Sequence, residues 1–301
     1  MIPVYNAANF LPLALESVLN QIPANYQAQI EVVDDASTDA NVEEIVNSLG
    51  KGQVSYFRQA ENVGSLRNFE TCINRAKGHY IHLLHADDLV EPGYYAKITQ
   101  LFEQNPEAGA AFTRYYYIDD KGLITNEKEI ITNVEGVISG YLEILGYQQK
   151  QQYCITTVKR SVYEHLGSFY GVTYGEDWEM WLRIAKHYPV AYSPKFLGSY
   201  RLHYNSISGQ AFVSGKNIRD LQWVFSKTLA YLPGNKGIKA VKYARFIYAY
   251  HALNIANRLW HGKHDKASAK AQIKAALKLD KKFILYWRAL KLYIKMFIGR
   301  K

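Results

Sequence analysis

Residues 83–93 read LLHADDLVEPG, an apolar run that stops at His85-Ala86-Asp87-Asp88 ahead of a Pro-Gly turn. Adjacent carboxylates at the mouth of a strand repel each other and cost stability unless a cation sits between them. An alternative needs no ligand, because Asp88 can simply cap the helix that follows Pro92-Gly93. The pair takes its meaning from the segments on either side.

Just upstream, residues 80–84 (YIHLL) form a strand, and residues 30–33 (IEVV) and 54–57 (VSYF) form two more. Apolar residues recur at helical spacing over 10–21, 42–49, 65–76 and 94–102. Strand and helix alternating in units of about 25 to 30 residues predict an α/β fold, a mostly parallel central sheet with flanking helices. Ligands of such sheets bind beyond the carboxyl ends of the strands. Asp34-Asp35 and Asp87-Asp88, both at strand ends, are therefore expected to face one crevice. Residues 110–117 and 154–158 read as further strands, a helix follows Asp177, another strand lies near 196–200, and the chain is helical from about 212 onward.

The 301 residues suit one large domain or two modest ones. Only two cysteines are present, Cys72 and Cys154, with no paired spacing, which fits a reducing compartment rather than a disulfide framework. No leader is visible, and no apolar run reaches the roughly 20 residues of a membrane span. The net charge of +9 divides unevenly: residues 211–301 hold 20 Lys and Arg against 3 Asp and Glu, a net +17, which leaves residues 1–210 at −8. An acidic body with a basic tail marks two domains, 1–210 and 211–301, the second suited to an anionic surface. The tail carries no recognised nucleic-acid motif, so nucleic acid is not an expected partner.

Read in chain order, other short stretches join the acidic pair. They are Pro3-Val4-Tyr5-Asn6, Val33-Asp34-Asp35-Ala36-Ser37-Thr38-Asp39, Asn62-Val63-Gly64-Ser65-Leu66-Arg67-Asn68 and Ala76-Lys77-Gly78-His79-Tyr80-Ile81. Gly175-Glu176-Asp177-Trp178 and Tyr200-Arg201-Leu202-His203 follow the acidic pair. Each is weak alone. Their order and spacing resemble the family 2 glycosyltransferases over residues 1–210. The resemblance implies a GT-A fold, an inverting reaction and a nucleotide-sugar donor.

The resemblance also assigns roles. In this family the P-x-Y-N stretch and the acidic turn after the second strand hold the nucleotide, which makes Pro3, Tyr5, Asn6 and Asp35 donor contacts. Asp35 would accept from a base N–H such as uracil offers, or else only form a turn. Gly64 would let backbone approach the donor, and Arg67 would pair with phosphate or a base edge, unless it is a plain exposed helix residue. Where the family reads D-x-D-D, this chain has His85 in the first place. Asp87 is then the ligand of Mn²⁺ or Mg²⁺, which neutralises the leaving pyrophosphate, and Asp88 ligates, bonds ribose or caps a helix. His85 shares a strand face with Asp87 and contacts donor or metal, or merely packs. The family's base is the second residue of Glu176-Asp177, so Asp177 takes the acceptor proton, with helix capping as its alternative, and Glu176 orients it or the acceptor. Arg201 as a donor contact and His203 as a metal ligand fall on a segment that, in this family, closes over the donor.

One departure concerns the first strand. The family has several apolar residues before the Pro of P-x-Y-N, whereas only Met1 and Ile2 stand here. Each missing buried side chain forfeits about 1.5 to 3 kcal/mol, so the natural reading frame is expected to begin upstream of Met1. At the other end, residues 282–298 are broadly apolar with a stripe of Arg288, Lys291 and Lys295, flanked by Lys281, Arg300 and Lys301. Trp287 and Tyr293 suit a headgroup zone. This helix either lies on an anionic membrane or packs on the helices around 240–259. The expected activity is transfer of one sugar from a nucleotide sugar, UDP-linked, to a hydroxyl of a surface glycan or lipid-linked saccharide. It would take place in the cytoplasm or on the inner face of the plasma membrane, with acceptor contacts in loops 147–153 and 169–174. The alternative is a catalytically decayed, membrane-associated scaffold of the same fold.

Overall fold

The computed structural model describes residues 1–22 and 27–299, which fall into two units interleaved along the sequence. The first comprises Met1–Tyr141, Lys150–Tyr170 and Arg183–Leu202; the second comprises Leu142–Gln149, Gly171–Leu182 and the chain from His203.

In the first unit, β1 (Ile2–Val4), β2 (Ile30–Asp34) and β3 (Val54–Arg58) form a parallel ladder in that order. The register sets Val4 beside Asp34 and Asp34 beside Arg58, so an acid and a base meet at the carboxyl ends. β2 is buried along its whole length, as a parallel strand covered on both faces must be. The crossovers are α1 (Leu11–Leu19), α2 (Val42–Gly50) and α3 (Ser65–Arg75). α1 buries Leu11, Ala14, Leu15 and Val18, a single helical face. α2 starts where the Asn41 side chain accepts from Glu44 N at 3.2 Å, with Glu43 and Glu44 favourably placed at the positive end of the helix.

A second ladder follows the order β4 (Tyr80–His82), β9 (Thr156–Lys159), β6 (Ala110–Ile118), β10 (Val190–Arg201) and β5 (Leu89–Val90). β7 (Ile124–Glu127) pairs with β6, and β8 (Gly136–Val137) with β10. β6 and β10 run parallel and the remaining pairs antiparallel. Met1 N donates to His82 O at 2.9 Å and Leu84 N to Met1 O at 3.1 Å, which joins this ladder to β1. α4 (Tyr94–Gln104) and α6 (Arg160–Leu166) complete the first unit, while α5 (Tyr141–Tyr147) and the start of α7 (Glu176–His187) fall in the second. β10 runs twelve residues, well beyond the strand expected near 196–200. Pro194 disguises it: the ladder slips between Tyr192 and Phe196, and that irregularity accommodates the missing N–H.

The second unit is helical. It contains α8 (Ile207–Ser214), α9 (Lys216–Tyr231), α10 (Asn235–Lys263), α11 (Lys266–Leu279) and α12 (Phe283–Ile298). Helix begins at Ile207, earlier than expected, because Ser206 caps it by accepting from Gly209 N at 3.0 Å. α10 buries small residues, among them Ala240, Ala244, Ala249, Ala252 and Ala256, which let its neighbours approach closely. α12 packs through Leu285, Ala289, Leu292 and Met296, while Arg288 donates to Tyr250 Oη and Asn254 Oδ1 of α10. Its remaining apolar side chains stay exposed, so packing and exposure are shared between two faces of one helix. Among the described residues no helix is long and apolar enough to cross a membrane.

Candidate functional site

β4 delivers the chain, through buried Leu83 and Leu84, to a turn closed by Asp88 N on His85 O at 3.1 Å. His85, Asp87 and Asp88 each offer a ligand atom there, all within 4.8 Å of one another. The His85 ring stacks on Phe69 (5.0 Å) and tilts against Tyr153 (4.3 Å), and its Nε2 is buried without a hydrogen-bond partner. Burial holds the imidazole below its ordinary pKa, so it stands neutral and able to ligate. Asp88 is buried, and burial followed by the charge of Asp87 raises its pKa well above its ordinary value. These residues fit a divalent cation: donors held about 2.0 to 2.6 Å from one ion necessarily lie within a few ångströms of each other.

Arg201, the last residue of β10, locks this turn from behind. Its backbone N donates to Asp88 Oδ1 (2.9 Å), Nε to Asp87 O (2.8 Å) and Nη1 to Asp119 O (2.7 Å), and the guanidinium lies 4.8 Å from the Phe10 ring centre. It is 1% exposed, a strand residue rather than part of a closing segment, because β10 keeps its ladder with β6 as far as Ile118. His203 follows in the second unit.

The loops after β1 and β2 are stapled together. Asn6, in the left-handed region at φ 49°, donates its N to Ser37 Oγ (3.0 Å) and accepts from Thr38 N (2.8 Å). Ala8 N donates to Asp39 Oδ2 at 2.9 Å, and Asp34 accepts from Ser37 N, Tyr56 Oη and Arg58 Nη1. Asp35 ties three segments: its N donates to Val4 O (2.8 Å), Oδ1 accepts from Val63 N (2.8 Å) and Oδ2 from Gly64 N (3.0 Å). Burial raises its pKa against the opposing pull of those two N–H groups. Each carboxylate oxygen keeps a second lone pair with which to accept from a ligand. Pro3 is buried within β1, Tyr5 is half exposed, and Arg67 stands on the outer face of α3 in an exposed pair with Glu70 at 2.7 Å, worth about 0–1 kcal/mol.

Gly64 has φ 83° and ψ 160°, backbone that is close to glycine-only, and open space where a Cβ would sit. Gly64→Ala is therefore expected to cost about 1–3 kcal/mol purely through backbone strain. Urea denaturation of the two proteins checks this, and an unchanged midpoint refutes it.

In the second unit, Glu176 and Asp177 open α7 after Gly175, with Glu179 one turn position further on. Trp178 fixes the helix start: its Nε1 donates to Leu145 O at 2.8 Å and its ring lies 5.1 Å from that of Tyr248. Asp177 is buried, Oδ1 accepting from Trp178 N (2.7 Å) and Oδ2 from Gln149 Nε2. Burial outweighs those hydrogen bonds and pushes its pKa up to about 7. A carboxylate poised near neutrality is what a general base requires. Glu179 is fully buried and accepts from Tyr231 Oη.

Three positioning residues escaped the sequence reading. Arg58 was signalled by its place at the end of β3, level with Asp34. Glu179 was signalled by the cluster of acids at a helix start. Gln149 lies in the 147–153 loop expected to meet the acceptor, but its bond to Asp177 has no local signal, since only the fold brings the two together.

A model of the family described as Glycosyl transferase family 2 matches residues 1–166. The uncharacterized glycosyltransferase MJ1057 of Methanocaldococcus jannaschii is 25% identical over 199 residues, 64% of this chain and 66% of that protein. The chain thus spans just under two thirds of that relative, and less than half of the next curated ones. Among solved structures, S. aureus TarS 1-349 in complex with UDP-GlcNAc is similar at a TM-score of 0.66 and 13% identity, over 98% of this chain and 88% of that one. The mannosyltransferase PcManGT of Pyrobaculum calidifontis, in complex with GDP-Man and Mn²⁺, is similar at a TM-score of 0.57 and 16% identity, over all of this chain and 86% of that one. The likeness identifies the fold as GT-A with a helical C-terminal region. The chain belongs to glycosyl transferase family 2.

Proposed function

We propose that the chain transfers a single sugar from a nucleotide sugar, UDP-linked, to a hydroxyl of a surface glycan or lipid-linked saccharide, with inversion at the anomeric carbon. The observation that carries this is the His85, Asp87 and Asp88 cluster at the strand mouth, with its buried, unpartnered Nε2. Nucleotide-sugar complexes of the similar folds, UDP-GlcNAc in TarS and GDP-Man with Mn²⁺ in the mannosyltransferase, support a donor of that class and a metal-assisted reaction. Bound Mn²⁺ or Mg²⁺ would supply charge neutralisation for the departing diphosphate.

The chain's own residues do the rest. Asp87, with Asp88 and His85, holds the cation, and Arg201 keeps the turn in shape from behind. Asp35 and Asn6 set the loops on which Tyr5, Gly64 and Arg67 meet base, ribose and phosphate, and Pro3, buried in β1, fixes where the first of those loops begins. Asp177 accepts the acceptor's hydroxyl proton as the oxygen attacks, Gln149 holds the carboxylate in place, and Glu176 orients the acceptor. Residues 1–210 form the transferase domain, and the basic helical region 211–301 brings it to the inner face of the membrane.

A donor screen tests the reading. Purified protein is expected to release nucleotide from one UDP-sugar with Mn²⁺ or Mg²⁺ present and to stop with chelator. Metal-independent release, or none from any nucleotide sugar with acceptor extracts supplied, refutes it.

A further inference from the structure

The helical unit carries an apolar ridge that none of its described residues covers. Phe283, Trp287, Leu290, Ile294 and Phe297 follow the three-and-four spacing of one helix face. All are exposed, Phe283 by 82% and Phe297 by 89%. The opposite face of α12 is the buried one. At about 100° per residue, Lys291 and Lys295 stand along one flank of the ridge. On the other flank stands Tyr293, and with Ile294, Met296, Phe297 and Ile298 at the end of α12 it walls an open groove of about 550 Å³ whose rim includes Lys266 and Lys270 of α11. Lys274 and Lys278, also exposed, continue that row at four-residue intervals. The ridge therefore lies between two basic rows, and residues 263–298 contain no acids except Asp265 and Asp280. Arg300 and Lys301, which prolong the basic run in sequence, lie outside the described residues.

We propose that this face docks on an anionic phospholipid surface. α12 lies flat with its ridge at the acyl boundary, the two lysine rows meet headgroup phosphates, and the groove takes one acyl chain. The proposal deepens the membrane placement given above and rests on that reading alone, independently of the metal cluster and the base. Charge selects the occupant. A second copy of the chain would bring a region of net +17 against its equal, and self-docking is repelled. A nucleic acid would use the lysines yet leave the ridge in water. A bilayer with anionic headgroups satisfies both, and Trp287 and Tyr293 suit its interface.

Co-sedimentation of the full chain with vesicles decides it. Binding is expected with phosphatidylglycerol in phosphatidylcholine and not with phosphatidylcholine alone, accompanied by a blue shift of tryptophan emission that Trp287→Phe abolishes. The pairs Leu290→Glu with Ile294→Glu, and Lys266→Glu with Lys270→Glu, should each weaken binding by about tenfold or more at unchanged circular dichroism. Equal binding to neutral vesicles, undiminished binding of the ridge variant, or a solution dimer that vesicles do not dissociate overturns the proposal. Lost vesicle binding with nucleotide release intact defeats the docking alone, whereas intact docking without release defeats the transferase reading.

Discussion

Asp177→Asn should bind donor as the parent does and lose transfer by about 10² to 10⁴-fold, the usual effect of removing a general base. Asparagine keeps the shape of the side chain, and the Gln149 amide can turn to preserve its contact. What disappears is the proton acceptor. Because burial sets the Asp177 pKa near 7, parental activity should rise with pH through neutrality as the carboxylate ionises, and residual activity of the variant should lack that limb. Stability moves the opposite way. A folded pKa raised from 3.8 means that the native state holds this proton more tightly than the unfolded chain. The stabilisation is complete below 3.8 and is lost as pH rises to about 7; beyond that, a buried charge destabilises the fold. Asp177→Asn should therefore gain stability relative to the parent as pH rises toward neutrality. Initial rates across pH, calorimetry with donor and thermal melts at two pH values measure all three. Transfer surviving within about tenfold would place the base elsewhere.

Asp87→Ala should abolish metal-dependent UDP binding while sparing the fold. Arg201 grips Asp87 through its backbone oxygen, which alanine retains, so the turn keeps its anchor. Removing the charge also relieves Asp88, whose pKa the Asp87 carboxylate helps to raise, so melting temperature should hold or climb slightly. Titration calorimetry of UDP with Mn²⁺ measures the loss, and unchanged affinity in the variant sinks the assignment of Asp87 as a ligand.

Regular spacing made much of the fold legible. Val32 and Val33 in a run buried on both faces announce a parallel strand, and Leu11, Ala14, Leu15 and Val18 announce the helix that covers it. What stayed hidden lacked a period to read. β5 is two residues long, and β7 is exposed throughout, so neither shows apolar alternation. Pro194 interrupted a strand that the ladder carries across by slipping register. At the site, the order of short motifs marked Asp35, Asp87 and Asp177, each of which is buried or turned into a cluster. Their partners were invisible for a physical reason: Arg201 to Asp88 spans 113 residues and Gln149 to Asp177 spans 28, separations that only the assembled chain closes. Arg201 shows the limit most clearly. Its motif suggested a donor contact on a moving segment, and the structure gives it three hydrogen bonds and an almost complete loss of exposure.

That placement of Arg201 also decides how the acidic turn can fluctuate. β10 is bonded to β6 along one edge and to β5 and β8 along the other, so its far end cannot peel away by itself. Local openings are low in energy where few bonds must break, as in frayed ends and loose loops, and approach the energy of global unfolding in central strands. The Asp88 carboxylate takes its hydrogen bond from the last amide of β10, just past the residues that pair with β5, so the acidic turn is tied to the end of the sheet rather than to its middle. The turn is therefore held by the Arg201 side chain, which bonds Asp87 O and Asp119 O, as much as by the strand. Loosening that one residue would free both acids at once, since its side-chain bonds and its amide are what link them to β10.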